Sequence, residues 1–155
     1  MQIIYLALLS LSLASCVKTI DNDPPAEEPA LAKVLSVAVS GEENAYRFNV
    51  EVESPDLGCD QYADWWEVIT EEGELVYRRI LAHSHVNEQP FKRSGSPVKI
   101  TADQVVFVRA HMNNSGYGKD IVKGSVASGF ERSLLVTDFA KELETQEPLP
   151  KNCAF

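Results

Sequence analysis

The sequence lacks the features that mark most nucleic-acid-binding proteins and many enzymes. Of its 155 residues only 14 are lysine or arginine, against 23 aspartate or glutamate, which gives a formal net charge of -9. Phosphate backbones are bound by basic surfaces, so this balance argues against a nucleic-acid partner. There is also no Gly-x-Ser-x-Gly elbow, His-Glu-x-x-His helix, phosphate-binding glycine loop or Cys-x-x-Cys pair. We therefore expect a protein that is not an enzyme.

Long apolar runs are missing too. The run from Ile3 to Ala14 is shorter than the roughly 18 to 20 residues that a membrane-spanning helix needs. It has the length of a signal-peptide core, and small residues precede a cysteine in Leu13-Ala14-Ser15-Cys16. This segment resembles a bacterial lipoprotein signal that ends in a lipobox. The start Met1-Gln2 lacks the usual basic residue, and cleavage as an ordinary secreted protein or retention as a signal anchor remains open.

The lipoprotein resemblance implies where the protein is held. Residues 1–15 would be removed as a signal peptide, and Cys16 would carry a diacylglyceryl group and a further acyl chain such as palmitate. Several acyl chains anchor more firmly than one, so the membrane is an expected partner. Val17 is not the aspartate associated with inner-membrane retention, which implies the outer membrane in a host that has two membranes. Residues 16–32 are rich in proline and acid and are predicted to form a disordered tether.

Cysteine is scarce, and its scarcity is informative. If Cys16 carries lipid, Cys59 and Cys153 remain as a pair outside the cytoplasm, where disulfides form. We predict that the two are linked, although two separate thiols are the alternative. The link would close most of the single domain predicted over residues 33–155.

The domain shows the period-two alternation of antiparallel strands and almost no helical periodicity. The pattern predicts hairpins from 34–40 with 46–52 and from 65–70 with 74–85. It also predicts a loop over 87–96, strands at 98–100, 105–112 and 121–126, and a helical turn over 137–143. This combination predicts an all-β, two-layer antiparallel sandwich with a short C-terminal extension.

One short segment resembles a known family. The run Val106-Phe107-Val108-Arg109-Ala110 and the turn from Asn113 to Gly118 resemble the F strand and following turn of fibronectin type III domains. The sequence departs from that pattern in having Phe107 as the aromatic where the family typically carries tyrosine. The resemblance implies an immunoglobulin-like sandwich with a binding or spacer role.

All three histidines fall in the predicted strands. His83 and His85 would share a face of one strand, and His111 would point outward from another. If those strands are neighbours, three imidazoles could form an open copper or zinc site. The alternative is that the imidazoles hydrogen-bond to loop backbone and have an architectural role.

Two further groups are candidates for binding. Arg79 and Arg109 are predicted on outward faces, where guanidinium groups could bind a small anionic ligand such as a glycan acid, a peptide terminus or a lipid headgroup. Pairing with internal carboxylates is the alternative. Trp65 and Trp66 must point to opposite faces, so one ring is either a platform for a sugar or protein or is covered by a loop or the C-terminal tail; we take Trp65 as the binding candidate.

Together these patterns predict a lipid-anchored cell-envelope protein that is a ligand-binding or structural interaction module for an envelope protein, glycan or small anion. The predicted surface contains His83, His85, Arg109 and His111. A metal-binding lipoprotein is the first alternative, and a lipoprotein enzyme is the second.

Overall fold

The computed structural model describes residues 29–154, so the predicted signal peptide, the lipidation of Cys16 and most of the tether lie outside the described residues. The strands are β1 Lys33–Ser40, β2 Tyr46–Glu53, β3 Ala63–Thr70, β4 Leu75–Ile80, β5 Phe91–Val98, β6 Val106–Met112, β7 Gly116–Tyr117, β8 Asp120–Ser125 and β9 Gly129–Leu134. Two antiparallel sheets pack face to face, with strand orders β1-β2-β5 and β4-β3-β6-β8-β9, and β7 pairs with β6. This arrangement confirms the predicted all-β sandwich.

Alternating residues of each sheet build the core between the two layers. Trp66 and Phe48 are fully buried there, and Trp66 lies 5.7 Å from the ring of Tyr77. The predicted core faces of β2 and β6 are confirmed: on these faces Tyr46, Phe48, Val50, Val52, Val106, Val108, Ala110 and Met112 are all buried. A continuous apolar layer of this kind is the main source of stability in a sandwich.

Both predicted hairpins form. β1 pairs with β2, and β3 pairs with β4. In the second turn Gly73 has φ 88°, a left-handed conformation that glycine adopts without steric cost. The hydroxyl of Thr70 accepts hydrogen bonds from the backbone N–H groups of Glu72 and Glu74, at 3.2 Å each, which closes this turn.

The predictions for residues 74–98 were partly wrong. β4 ends at Ile80 instead of reaching His85, β5 begins within the predicted loop, and the strand predicted at 98–100 is only the end of β5 at Val98. Pro97 argued against a strand at this position in the sequence, because proline is rare within a sheet. It is accommodated here because β5 is an edge strand and Pro97 lies where the pairing with β2 shifts register. Gly95 fits because a Cβ there would lie 2.5 Å from the Tyr77 ring and 2.7 Å from the Trp66 ring.

The described chain after β6 also differs from the prediction in part. The strand predicted at 121–126 is confirmed as β8, but β9 and the short β7 were missed. The helical turn is a 3₁₀ helix, Lys141–Thr145, which follows Ala140 in a left-handed conformation instead of being capped by Thr137.

The residues after β9 cross the outer face of the larger sheet. We call residues 139–154 the strap. Its end is fixed by the predicted disulfide between Cys59 and Cys153, which is present with a sequence separation of 94. The backbone N–H of Ala154 also donates to the carbonyl of Ala82. Among the described residues, no helix has the length and apolar character needed to cross a bilayer.

Candidate functional site

The strap covers a buried group of three charges on the outer face of the larger sheet. Glu67 lies on β3 opposite Arg78 of β4 and Arg109 of β6. The Nε of Arg78 donates to Glu67 Oε2 at 2.7 Å, and the Nε of Arg109 donates to Glu67 Oε1 at 2.8 Å. All three side chains have at most 1% exposure. One carboxylate thus neutralises part of the charge of two arginines away from water.

The remaining donors of the two arginines hold the strap. Arg78 donates to the carbonyl oxygens of Leu143 at 2.7 Å, of Gln146 at 2.6 Å and of Pro148 at 3.1 Å. Arg109 donates to the carbonyls of Phe139 and Ala140. Burial removes these backbone carbonyls from water, and the arginine donors replace the hydrogen bonds that they lose. We call Glu67, Arg78 and Arg109 the charge triad. Its hydrogen bonds hold the strap against the sheet.

Aromatic rings extend this layer. The Trp65 ring lies between the imidazole of His111, stacked at 3.7 Å between ring centres, and the guanidinium of Arg78, 4.5 Å above the indole. Arg109 lies 3.4 Å from the Tyr117 ring centre. Burial, and after it the Glu67 carboxylate, raise the pKa of the Tyr117 phenol well above its ordinary value, so Tyr117 stays neutral.

His111 lies at the base of an open pocket beside the strap. Its Nδ1 is 2.7 Å from Asp64 Oδ1, and its Nε2 is 3.7 Å from Glu144 Oε1. The pocket has a volume of about 470 Å³. We call it the His111 pocket; its other walls are Cys59, Tyr62, Trp65, Asn113 and residues 149–153.

The electrostatics of the His111 pocket favour hydrogen-bond donors over anions. Burial, as the largest cause, raises the pKa of the Asp64 carboxyl, while its hydrogen bond to His111 opposes that rise. The contact of Nδ1 with Asp64 orients the imidazole, and Nε2 lies on the side of Glu144. Glu144 adds a second acceptor whose side chain is 28% exposed. The pocket can therefore accept hydrogen bonds from hydroxyl or amine groups.

A second buried cluster organises the loops that follow β2 and β4. Asp56 accepts from the Ser54 hydroxyl at 2.7 Å, from the Ala63 N–H at 2.9 Å and from the His85 N–H at 2.7 Å. The His85 imidazole stacks on Phe91 at 3.8 Å, and neither of its ring nitrogens has a hydrogen-bond partner. This cluster joins two loops and has an architectural role.

The environment of His85 predicts a loss of stability in mild acid. Burial first, and then nearby Arg93 and His83, lower the pKa of His85 below 6.5. The unfolded chain therefore takes up a proton at His85 more readily than the folded chain does. This difference leaves folding stability unchanged above about pH 6.5 and lowers it as pH falls from there toward the folded pKa.

We expect His85→Phe to keep the stacking on Phe91 and to reduce the fall in the urea midpoint between pH 7.5 and 5.0. His83→Gln removes only a smaller cause of the lowered His85 pKa, so it should reduce this fall less than His85→Phe does. An unchanged pH dependence in His85→Phe would show that His85 does not destabilise the fold in acid.

The structure separates the three predicted metal ligands. His83 and His85 are close, with 4.5 Å between ring centres, whereas His111 is stacked on Trp65 and hydrogen-bonded to Asp64. Within residues 29–154 no group of three or more histidine, cysteine, aspartate or glutamate side chains is placed to hold a metal ion. The predicted three-histidine geometry is therefore not assembled.

The predicted binding surface is also corrected. The alternation on β6 does direct Arg109 and His111 to the outer face, but the strap and the pocket walls cover them and leave 1% and 6% exposed. Trp65 is covered as well, at 3%. Arg79 pairs in register with Trp66 and so faces the other side of the sheet; Arg78 is the arginine that shares a face with Arg109. The internal pairing of Arg109 explains its burial.

Sequence reasoning missed Glu67, Asp64 and Glu144. Glu67 did give a signal, because a glutamate inside the apolar run of β3 must either face water or find buried cations. Trp65, two residues before it, indicates which face of β3 Glu67 occupies, because alternate residues of a strand share a face. Glu144 gave no such signal, because its position depends on how the strap crosses the sheet.

Comparison with known proteins supports part of this interpretation. The chain is 36% identical over 104 residues to a protein of Halomicrobium mukohataei named "Putative lipoprotein", an alignment that covers 66% of this chain and 51% of that protein. The chain thus spans about half the length of this relative. No family model and no solved structure matches the chain. The relative supports the lipoprotein interpretation, whereas nothing supports membership of the fibronectin type III family.

Proposed function

We propose that the protein is a lipid-anchored cell-envelope binding module, attached through Cys16, whose ligand site is the His111 pocket. The single observation that carries the binding role is the imidazole of His111, oriented by Asp64 at 2.7 Å and open to a pocket of about 470 Å³. Ligand sites are typically concave, with a few polar groups fixed in place against aromatic walls. The named relative supports the anchor. In a host with two membranes, Val17 favours the outer one.

The ligand is a small polar molecule rich in hydroxyl or amine groups, such as a neutral or amino sugar of the envelope. Asp64 and Glu144 supply carboxylate acceptors, and Asn152 and Lys151 also line the pocket. An anionic ligand is disfavoured because these two carboxylates outnumber Lys151, the one lysine among the lining residues. This ligand class replaces the small anion predicted to bind at Arg79 and Arg109, because Arg109 already donates its hydrogen bonds to Glu67 and the strap.

Saturation-transfer difference NMR tests the ligand class, with glucosamine, N-acetylglucosamine and glucuronate as probes. We expect transfer to the amino and neutral sugars but not to the acid, and loss of transfer in Glu144→Gln. Glu142→Gln is the matched control, because Glu142 is exposed on the same 3₁₀ helix and does not line the pocket. Absence of transfer from all three sugars, or equal transfer in Glu144→Gln, would contradict the proposed ligand class.

A further inference from the structure

The exposed large apolar side chains of the described domain gather at one end of the sandwich. Leu57 is 76% exposed, Val86 49%, and Leu134 and Val136 72% each. β2 and β4 lead into the loops of Leu57 and Val86, and β9 ends at Leu134. The register places these strand ends together, because Lys33 pairs with Glu53 and Asp120 pairs with Leu134. We call this the tether end.

The polypeptide enters the domain at the same end. Ala32 is fully buried, and a Cβ on Gly118 would lie 1.8 Å from the Ala32 carbonyl oxygen. This close approach fixes where the chain leaves the domain toward its N-terminus. Pro29, Ala30 and Leu31 share one surface depression with Thr137, next to the exposed Val136.

The opposite end of the described domain has no exposed large apolar side chain. Its turns and loops, 41–45, 71–74, 99–105 and 126–128, carry exposed carboxylates at Glu42, Glu43, Glu71, Glu72, Glu74 and Asp103. Lys99 is the exposed cation among those loop residues. An anionic membrane surface would repel this end. Among the described residues the exposed large apolar side chains are therefore confined to the tether end, which also carries exposed carboxylates at Glu53, Asp60 and Glu88.

We propose that the tether end is a membrane-contact surface, at which Leu57, Val86, Leu134 and Val136 reach into the boundary between phospholipid headgroups and acyl chains. The inference rests on the proposed anchoring through Cys16. Thirteen residue steps separate Cys16 from Pro29, so the tether spans at most about 45 Å. The acyl anchor keeps this end near the bilayer, and exposed apolar side chains at such a site favour the interface over water.

Fluorescence quenching by brominated phosphatidylcholine tests the contact in the full lipidated chain on phosphatidylcholine vesicles. Leu57→Trp and Val136→Trp place probes at the tether end, and Glu72→Trp is the matched control at the opposite end. The native tryptophans are buried, at 3% for Trp65 and 0% for Trp66, and supply a constant background measured in the unsubstituted chain. We expect the added fluorescence to be quenched at 57 and 136 and to be unaffected at 72.

Flotation of the same vesicles separates the two proposals. A chain that floats and shows no quenching at 57 and 136, or equal quenching at all three positions, would overturn the contact surface and leave the anchor intact. A chain that fails to float would overturn the anchor, and with it this inference. Flotation that is lost in Cys16→Ser, together with quenching at 57 and 136 alone, is the result that both proposals require.

Discussion

Replacing Glu67 with glutamine is expected to lower the free energy of unfolding by about 3 to 5 kcal/mol, because breaking a buried ion pair leaves its partners unneutralised. Here two partners lose their carboxylate at once, Arg78 and Arg109, and both are buried beneath the strap. Glutamine keeps the size of the side chain, so the loss reports charge and hydrogen bonding instead of a cavity. Urea unfolding at pH 7.5 measures it.

The matched control is Glu88→Gln. Glu88 also pairs with an arginine, Arg93 at 2.8 Å, but its side chain is 59% exposed. Exposed ion pairs contribute roughly 0 to 1 kcal/mol, so this variant should unfold almost as the unsubstituted chain does. Equal effects of the two substitutions would contradict the fastening role of the charge triad.

Removing the disulfide is the second large perturbation. The double variant Cys59→Ser, Cys153→Ser is expected to lose about 4 to 5 kcal/mol, since a crosslink over 94 residues restricts the unfolded chain strongly in the chain-entropy model. Its local effect is to release the end of the strap, which forms one wall of the His111 pocket. The same urea titration measures the change.

Cys16→Ser is the control for that experiment, because this cysteine lies outside the described domain and outside the disulfide. It should leave the urea midpoint of the chain unchanged. A double variant that unfolds within about 1 kcal/mol of the unsubstituted chain would mean that the triad alone retains the strap and that the chain-entropy estimate does not apply here.

Alternation along the strands predicted the layers of the fold because inward and outward residues differ in polarity. It succeeded for β2 and β6, where every second side chain is apolar. It failed for β5, where Gly95 and Pro97 look like loop residues and are accommodated only by an edge position and by the rings of Trp66 and Tyr77. Such long-range accommodation is not encoded in the local pattern.

The site was harder to predict than the fold for a related reason. Period two placed Arg109 and His111 on the outer face of β6, and that direction was correct. Their accessibility was not, because the strap crosses that face some 30 residues later in the chain, where Arg109 donates to Phe139 and Ala140. The cysteine pair predicted that the C-terminal tail is fastened, and a tail over the outward tryptophan ring was one alternative, but the burial of Arg109 and His111 was not predicted.

Intact-mass spectrometry of the protein extracted from host membranes tests the lipid anchor at Cys16. We expect a chain that begins at Cys16, has lost residues 1–15 and carries the added mass of a diacylglyceryl group and one further acyl chain, with the Cys59–Cys153 disulfide intact. Cys16→Ser should carry no acyl mass. A chain that retains Met1, or one that begins near residue 16 without lipid, would contradict it.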